Sequence, residues 1–259
     1  MKFALTSAVF ALMAGTAMAD TITLYTSQPN ADAQQTVDAF MAANPGTEVE
    51  WVRDGTTQLM ARLRAEIEAG NPQPDVLLIA DTVTLEGMAQ EGLLAAYQSP
   101  EADAYDAALY SPEGYYYSTK LITTGIVYNT GVETVPTSWS DLADPAMQGM
   151  IAMPSPLTSG AATIHMIALT GHPDLGWDYY EGLAEQGANP QGGNGGVYKA
   201  VAGGEKLYGF VVDFLAIRSR EEGAPVEFVF PEEGVSFVTE PVAILKTAKN
   251  PEAAKAFVD

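Results

Sequence analysis

Hydrophobic and polar positions alternate in two rhythms that take turns along the chain. Thr21–Tyr25 reads as a short strand, and Asn30–Ala43 as a helix with Val37, Phe40 and Met41 on one face. Asn44-Pro45-Gly46 ends that helix, Glu48–Val52 alternates as a strand, and Thr57–Ala69 carries Leu59, Met60, Leu63 and Ile67 at helical spacing. Asp75–Ala80 is a continuous apolar run, the pattern of a strand buried on both faces of a parallel sheet. Thr82–Glu91 is helical and stops at Gly92, and residues 99–118 are looser and rich in tyrosine. Beyond them come strands at Leu121–Tyr128, Met150–Met153, Leu207–Val212 and Val226–Phe230, with an extended run over Val235–Leu245. Helices fall at Thr158–Leu169, Trp177–Gln186, Val197–Ala202 and Phe214–Glu222, with a short one beginning at Trp139. Gly192–Gly196 reads as a flexible connector. The rhythm predicts an α/β fold with largely parallel sheets.

Composition narrows the chemistry. The 259 residues hold 33 acidic against 12 basic side chains, a formal charge of -21. That balance opposes nucleic acid, whose binding is driven by basic groups on phosphates. No cysteine is present, which excludes disulfides, thiolate catalysis and cysteine-ligated metals. Two histidines, His165 and His172, are too few for a multi-histidine metal centre. No cofactor and no metal are expected.

The ends have their own signals. Lys2, the apolar Phe3–Met13 and the small-x-small Ala17-Met18-Ala19 form a secretory leader, with cleavage expected after Ala19 and an exported, periplasmic product. Asn250–Asp259 begins a helix and stops in mid-pattern, so further helix is expected beyond it.

Three strand-to-helix junctions carry candidate binding groups. They are Tyr25-Thr26-Ser27-Gln28, Ala80-Asp81-Thr82, and the run from Pro154 to Thr158-Ser159-Gly160. In open α/β sheets this edge binds ligands, and the free N–H groups of a helix start favour an anion. Simple helix capping by Ser, Thr or Asp is the competing explanation at each junction. Gly160 adds room for close approach to backbone.

Together these segments resemble the extracellular solute-binding proteins of ABC importers, in the group that binds ferric iron, phosphonates such as 2-aminoethylphosphonate, or phosphorylated solutes. The matching pieces include Leu24-Tyr25-Thr26-Ser27, Pro74-Asp75-Val76-Leu77, Val127-Tyr128-Asn129-Thr130, Pro136-Thr137-Ser138-Trp139, Ala200–Glu205 and Pro231-Glu232-Glu233-Gly234. The resemblance implies a two-lobed periplasmic-binding-protein fold, each lobe a mixed, mostly parallel sheet flanked by helices. Lobe 1 would take residues 20–122 and 237–259, and lobe 2 residues 123–236, with Leu121–Tyr128 and Val235–Leu245 crossing between them. It also implies a small-molecule ligand in the cleft, permease subunits in the inner membrane as partners, and a monomer. Ferric binders of the group use two adjacent tyrosines just after a Val-Ala-x-Gly-Glu segment. Here those positions hold Phe214 and Leu215, which cannot ligate, so an anionic or zwitterionic solute is expected ahead of iron.

Further candidates follow. Asp213 ends a buried strand where relatives often face the ligand; it suits an ammonium or hydroxyl, or caps the next helix. Asp81 has the same two readings. Of Tyr115-Tyr116-Tyr117, Tyr117 is the ring closest to the first crossover and a candidate for the cleft. The expected site is therefore Ser27, Gln28, Asp81, Thr82, Tyr117, Thr158, Ser159, Gly160 and Asp213. A periplasmic hydrolase is the remote alternative, since neither a Gly-x-Ser-x-Gly elbow nor a phosphate-binding Walker loop occurs. His165, within a helix, and Tyr179-Tyr180 are expected to pack rather than react.

Overall fold

The structure is a computed structural model that describes residues 20–259; the expected leader lies outside the described residues. In chain order the first elements are β1 (Asp20–Thr26), α1 (Asn30–Ala43), β2 (Thr47–Arg53), α2 (Thr56–Glu68), β3 (Val76–Leu78), α3 (Thr82–Gln90), β4 (Tyr117–Ser118) and β5 (Ile122–Asn129). Then come β6 (Ile151–Ala152), α4 (Gly160–Thr170), α5 (Gly176–Glu185), α6 (Asn194–Ala202), β7 (Tyr208–Val212) and α7 (Asp213–Glu221). β8 (Val226–Val229), β9 (Ser236–Val238), β10 (Pro241–Ile244) and α8 (Pro251–Val258) complete the chain.

Two five-stranded sheets result. The first has the order β2-β1-β3-β10-β4, and the second β6-β7-β5-β8 with β9 also on β5. β3 is the centre of the first. Its Leu77, with Ile79 beyond it, faces a core with Tyr25, Leu59 and Leu63. Val76 and Leu78 face an opposite core with Ile22, Leu24 and Val37. That is the two-sided burial read from the uninterrupted apolar run. In the second sheet β5 divides likewise: Ile126 joins Trp139 and Phe210 on one side, and Val127 joins Val201 and Val211 on the other.

Three expectations need correction. The sheets are mixed, but in the second only β6–β7 is parallel; β5 runs antiparallel to β7, β8 and β9. An apolar run reports burial on both faces and carries no information on strand direction. Gly192–Gly196 is not wholly a connector, because Asn194-Gly195-Gly196 forms the first turn of α6. The Asn194 side chain anchors that turn, donating to Ser159 Oγ at 3.0 Å and accepting from Val212 N–H at 3.2 Å. Val235–Leu245 is also not one strand. It breaks at Thr239–Glu240, where Glu240 takes φ 42°, and it gives β9 to one sheet and β10 to the other.

The chain thus passes between the sheets at 119–121 and again at 239–240. These segments hold each other: Thr119 and Lys120 N–H both donate to Thr239 O (3.2 and 3.3 Å), and Thr119 Oγ1 donates to Glu240 O at 2.7 Å. The joint is short and cross-linked, the geometry of a hinge between two packed bodies.

Candidate functional site

A cleft of about 470 Å³ opens between the two sheets. The residues that precede α1, α2, α4, α6 and α7 all line it: Pro29, Gly55, Ser159, Gly193 and Val212. Five helices therefore begin at one cavity. α1 and α7 carry acidic residues in their own first turns, Asp32 and Asp213, which offset their positive ends. α2, α4 and α6 carry none. α2 and α6 also lack a side-chain cap, so their leading N–H groups remain available.

Two cations add to this field. Arg53, at the end of β2, donates from Nε to Gln28 O at 2.9 Å. Lys199 lines the opposite wall from α6. Neither has a carboxylate partner among the described residues, whereas six other basic side chains do, including Arg62, Arg64 and Arg218. Gly193, Gly195 and Gly196 border the same space, and a Cβ on any of them would meet no protein atom. Bare backbone there leaves room for a ligand to lie against it.

The sequence-predicted residues divide into two groups. Ser27, Thr158, Ser159 and Gly160 line the cleft. Ser27 Oγ accepts from Ala80 N–H at 2.9 Å and ties the ends of β1 and β3 together. Thr158 donates to Gly192 O at 2.6 Å, and Ser159 caps α4 through Ala162 N–H. The other five lie among protein partners outside the cleft lining. Gln28 is buried between Glu240 and Thr36. Asp81 caps α3 and accepts from Thr84, while Thr82 pairs with Thr239. Tyr117 donates to Tyr97 O and accepts from Ser99 N–H. Asp213 accepts from Thr123 N–H (3.1 Å) and Thr123 Oγ1 (2.6 Å), and its other oxygen accepts from Phe214 N–H.

Sequence reasoning missed Gly55, Gln58, Gly193 and Lys199, and left Arg53 unassigned. Asp54-Gly55-Thr56 after the Glu48–Val52 strand was a fourth junction of the same kind, and it would have supplied Arg53 through Gln58. No comparable signal marks Lys199.

Two acidic residues line the cleft, Asp54 beside Arg53 and Glu240 at the hinge. Burial pushes the Glu240 carboxyl up, against the opposing pull of Lys120, whose ammonium lies 2.6 Å away. Lys120 also lies 3.8 Å from Asp32, which pairs with Arg218 at 2.9 Å. Asp32 belongs to α1 beside the first sheet, and Arg218 to α7 beside the second. That ion pair therefore spans the cleft.

Known proteins share this architecture. A family model described as "Bacterial extracellular solute-binding protein" matches residues 25–259. The periplasmic binding protein AfuA of Actinobacillus pleuropneumoniae, solved with exogenous fructose-6-phosphate bound, superposes with a TM-score of 0.84 at 27% identity, over 93% of this chain and 78% of that one. Iron-bound HitA of Pseudomonas aeruginosa superposes with a TM-score of 0.78 at 25% identity, over 92% and 79%. A Salmonella typhimurium protein named "Putative 2-aminoethylphosphonate-binding periplasmic protein" is 30% identical over 213 residues, 76% of this chain and 59% of its own length. The family match over residues 25–259, on two sheets enclosing a cleft at helix starts, establishes that this chain belongs to the bacterial extracellular solute-binding proteins, as the solute-binding component of an ABC importer.

Proposed function

We propose that the captured solute is a small phosphorylated or phosphonate compound, with 2-aminoethylphosphonate and sugar phosphates as its two nearest chemistries. The observation that carries this reading is the meeting of the α2, α4 and α6 starts between Arg53 and Lys199, which carry no carboxylate partner among the described residues. Oriented N–H groups and two cations suit a dianion held by several donors at once. The named ligands of AfuA and of the Salmonella relative belong to the same class. A cavity of about 470 Å³ leaves space beyond a phosphoryl group for a hydroxylated or aminated tail.

In this reading Ser27, Thr158, Ser159 and Gly160 border the anion. Gln28, Asp81, Thr82, Tyr117 and Asp213 hold the walls that present it. The two lobes, expected at residues 20–122 with 237–259 and at 123–236 but parted by the sheets at 119–121 and 239–240, move against each other, and permease subunits in the inner membrane receive the closed form of a periplasmic monomer. The solute is released unchanged. Ferric iron is the weaker reading: among the described residues no tyrosine lines the cleft, and Phe214 and Leu215 do.

Calorimetric titration with 2-aminoethylphosphonate, fructose 6-phosphate and ferric citrate tests the assignment. Saturable heat is expected with at least one phosphorus compound. Arg53→Met and Lys199→Met should each weaken it by about tenfold, the cost of one charge-assisted contact. Heat and a visible absorption band with ferric citrate alone would reject the reading.

A further inference from the structure

Five buried side-chain atoms have no hydrogen-bond partner among the described residues: Asp32 Oδ2, Gln58 Oε1, His165 Nε2, Tyr179 Oη and Gln186 Oε1. Of these residues only Gln58 lines the cleft. It occupies the third position of α2, where a glutamine ordinarily reaches back to the N–H of the residue before the helix. That partner is already taken, because Gly55 N–H donates to Asp54 Oδ1 at 2.7 Å. The Gln58 side chain nevertheless folds back over Gly55, where a Cβ would stand 2.5 Å from Oε1. A carbonyl is thus buried at the wall of the cleft with nothing to accept from. Proteins seldom leave such an atom unmatched, because the loss of its water is not repaid.

We propose that Gln58 Oε1 accepts a hydrogen bond from the solute itself, from an ammonium or hydroxyl on the tail that extends from the phosphorus group. Gln58 is then a specificity-determining residue. It contributes little to the anion and favours solutes with a donor over alkyl solutes of similar size. This assignment rests on the anion reading above, with the phosphorus group set against Arg53 and the start of α2. Gln58 lies in the first turn of α2, beside that anchor, so a short tail reaches it.

The experiment titrates the full chain with ethylphosphonate, 2-hydroxyethylphosphonate and 2-aminoethylphosphonate, which share an anion and differ only in the tail. Wild type should bind at least one donor-bearing compound about tenfold or more tighter than ethylphosphonate. Gln58→Met should erase that preference and leave ethylphosphonate within about twofold of wild type. Gln58→Glu keeps an acceptor and should keep or enlarge the preference for the ammonium compound. A preference that survives Gln58→Met overturns the assignment. So does a Gln58→Met variant that weakens ethylphosphonate as much as the others, since the amide would then be donating to the anion. No binding of any of the three to wild type would overturn this assignment, and the anion reading falls with it if fructose 6-phosphate also gives no heat. Wild-type binding with an unaltered preference in the variants would overturn this assignment alone.

Discussion

His165 is the residue whose chemistry the fold has most fully suppressed. It is 2% exposed, 4.5 Å from the Trp139 ring and 5.4 Å from the Phe210 ring between centroids, with Nδ1 3.1 Å from Ser236 Oγ. Burial lowers its pKa from 6.5 to about 3. The unfolded chain therefore takes up a proton near pH 6.5 that the folded chain refuses until about pH 3. Stability from this group is complete above that window and falls with acid by about 1.4 kcal/mol per pH unit, or about 2 kcal/mol by pH 5. His165→Phe should lower the urea midpoint at pH 7, because it opens the contact with Ser236, yet lose less on going to pH 5 than wild type does. An equal loss in both proteins would show that His165 is not the acid-sensitive group. The packing role was legible from the sequence, because His165 sits inside an apolar helix. Its contact with Ser236, seventy-one residues away, was not, since nothing local encodes it.

Among elements, helix starts decide the site, and their glycines decide how closely the lobes meet. Gly55 (φ -61°) has ordinary backbone geometry, so alanine is conformationally acceptable there. A Cβ would nonetheless run into Thr158 O on the opposite wall and into Gln58 Oε1. Gly160 faces Ala80 O in the same way, at 2.7 Å from its ideal Cβ. Gly55→Ala should fold normally, with a melting temperature close to that of wild type, and bind solute at least about tenfold more weakly, mainly through faster dissociation. Unchanged affinity and dissociation would mean that the lobes need not approach this closely. α1 matches the range read from periodicity, and α2 and α3 match within a residue, because their apolar stripes face one sheet each. The start of α6 was hidden by its glycines, which disfavour helix until Asn194 is bonded on both sides. The direction of β5 was hidden for the reason already given: burial patterns do not record it.

At the scale of the molecule, net acidity does not oppose the proposed binding of an anion. The charge of -21 belongs to the whole sequence, whereas the cleft is governed by short-range dipoles and by Arg53 and Lys199. The Asp32–Arg218 pair joins the two sides of the cleft, and Lys120 and Glu240 pair at the crossing segments. Arg218 is largely exposed, so this pair trims the open population modestly, by up to about 1 kcal/mol. In the proposed mechanism, solute contacts on both walls supply the remaining bias toward the closed form. The α/β class was legible because helix and strand periods alternate throughout, and the two-lobed plan was legible through the resemblance to solute-binding proteins. The pairing of distant charges across the cleft was not, because it depends on how two separately folded bodies meet.

Phosphorus NMR of the phosphonate and sugar phosphate compounds, each mixed with equimolar protein, tests the central claim most directly. The account predicts a separate, shifted resonance for a bound solute, its return to the free position on denaturing the protein, and no new phosphorus signal over hours. An unshifted line for every compound, or a growing line of inorganic phosphate, would contradict it.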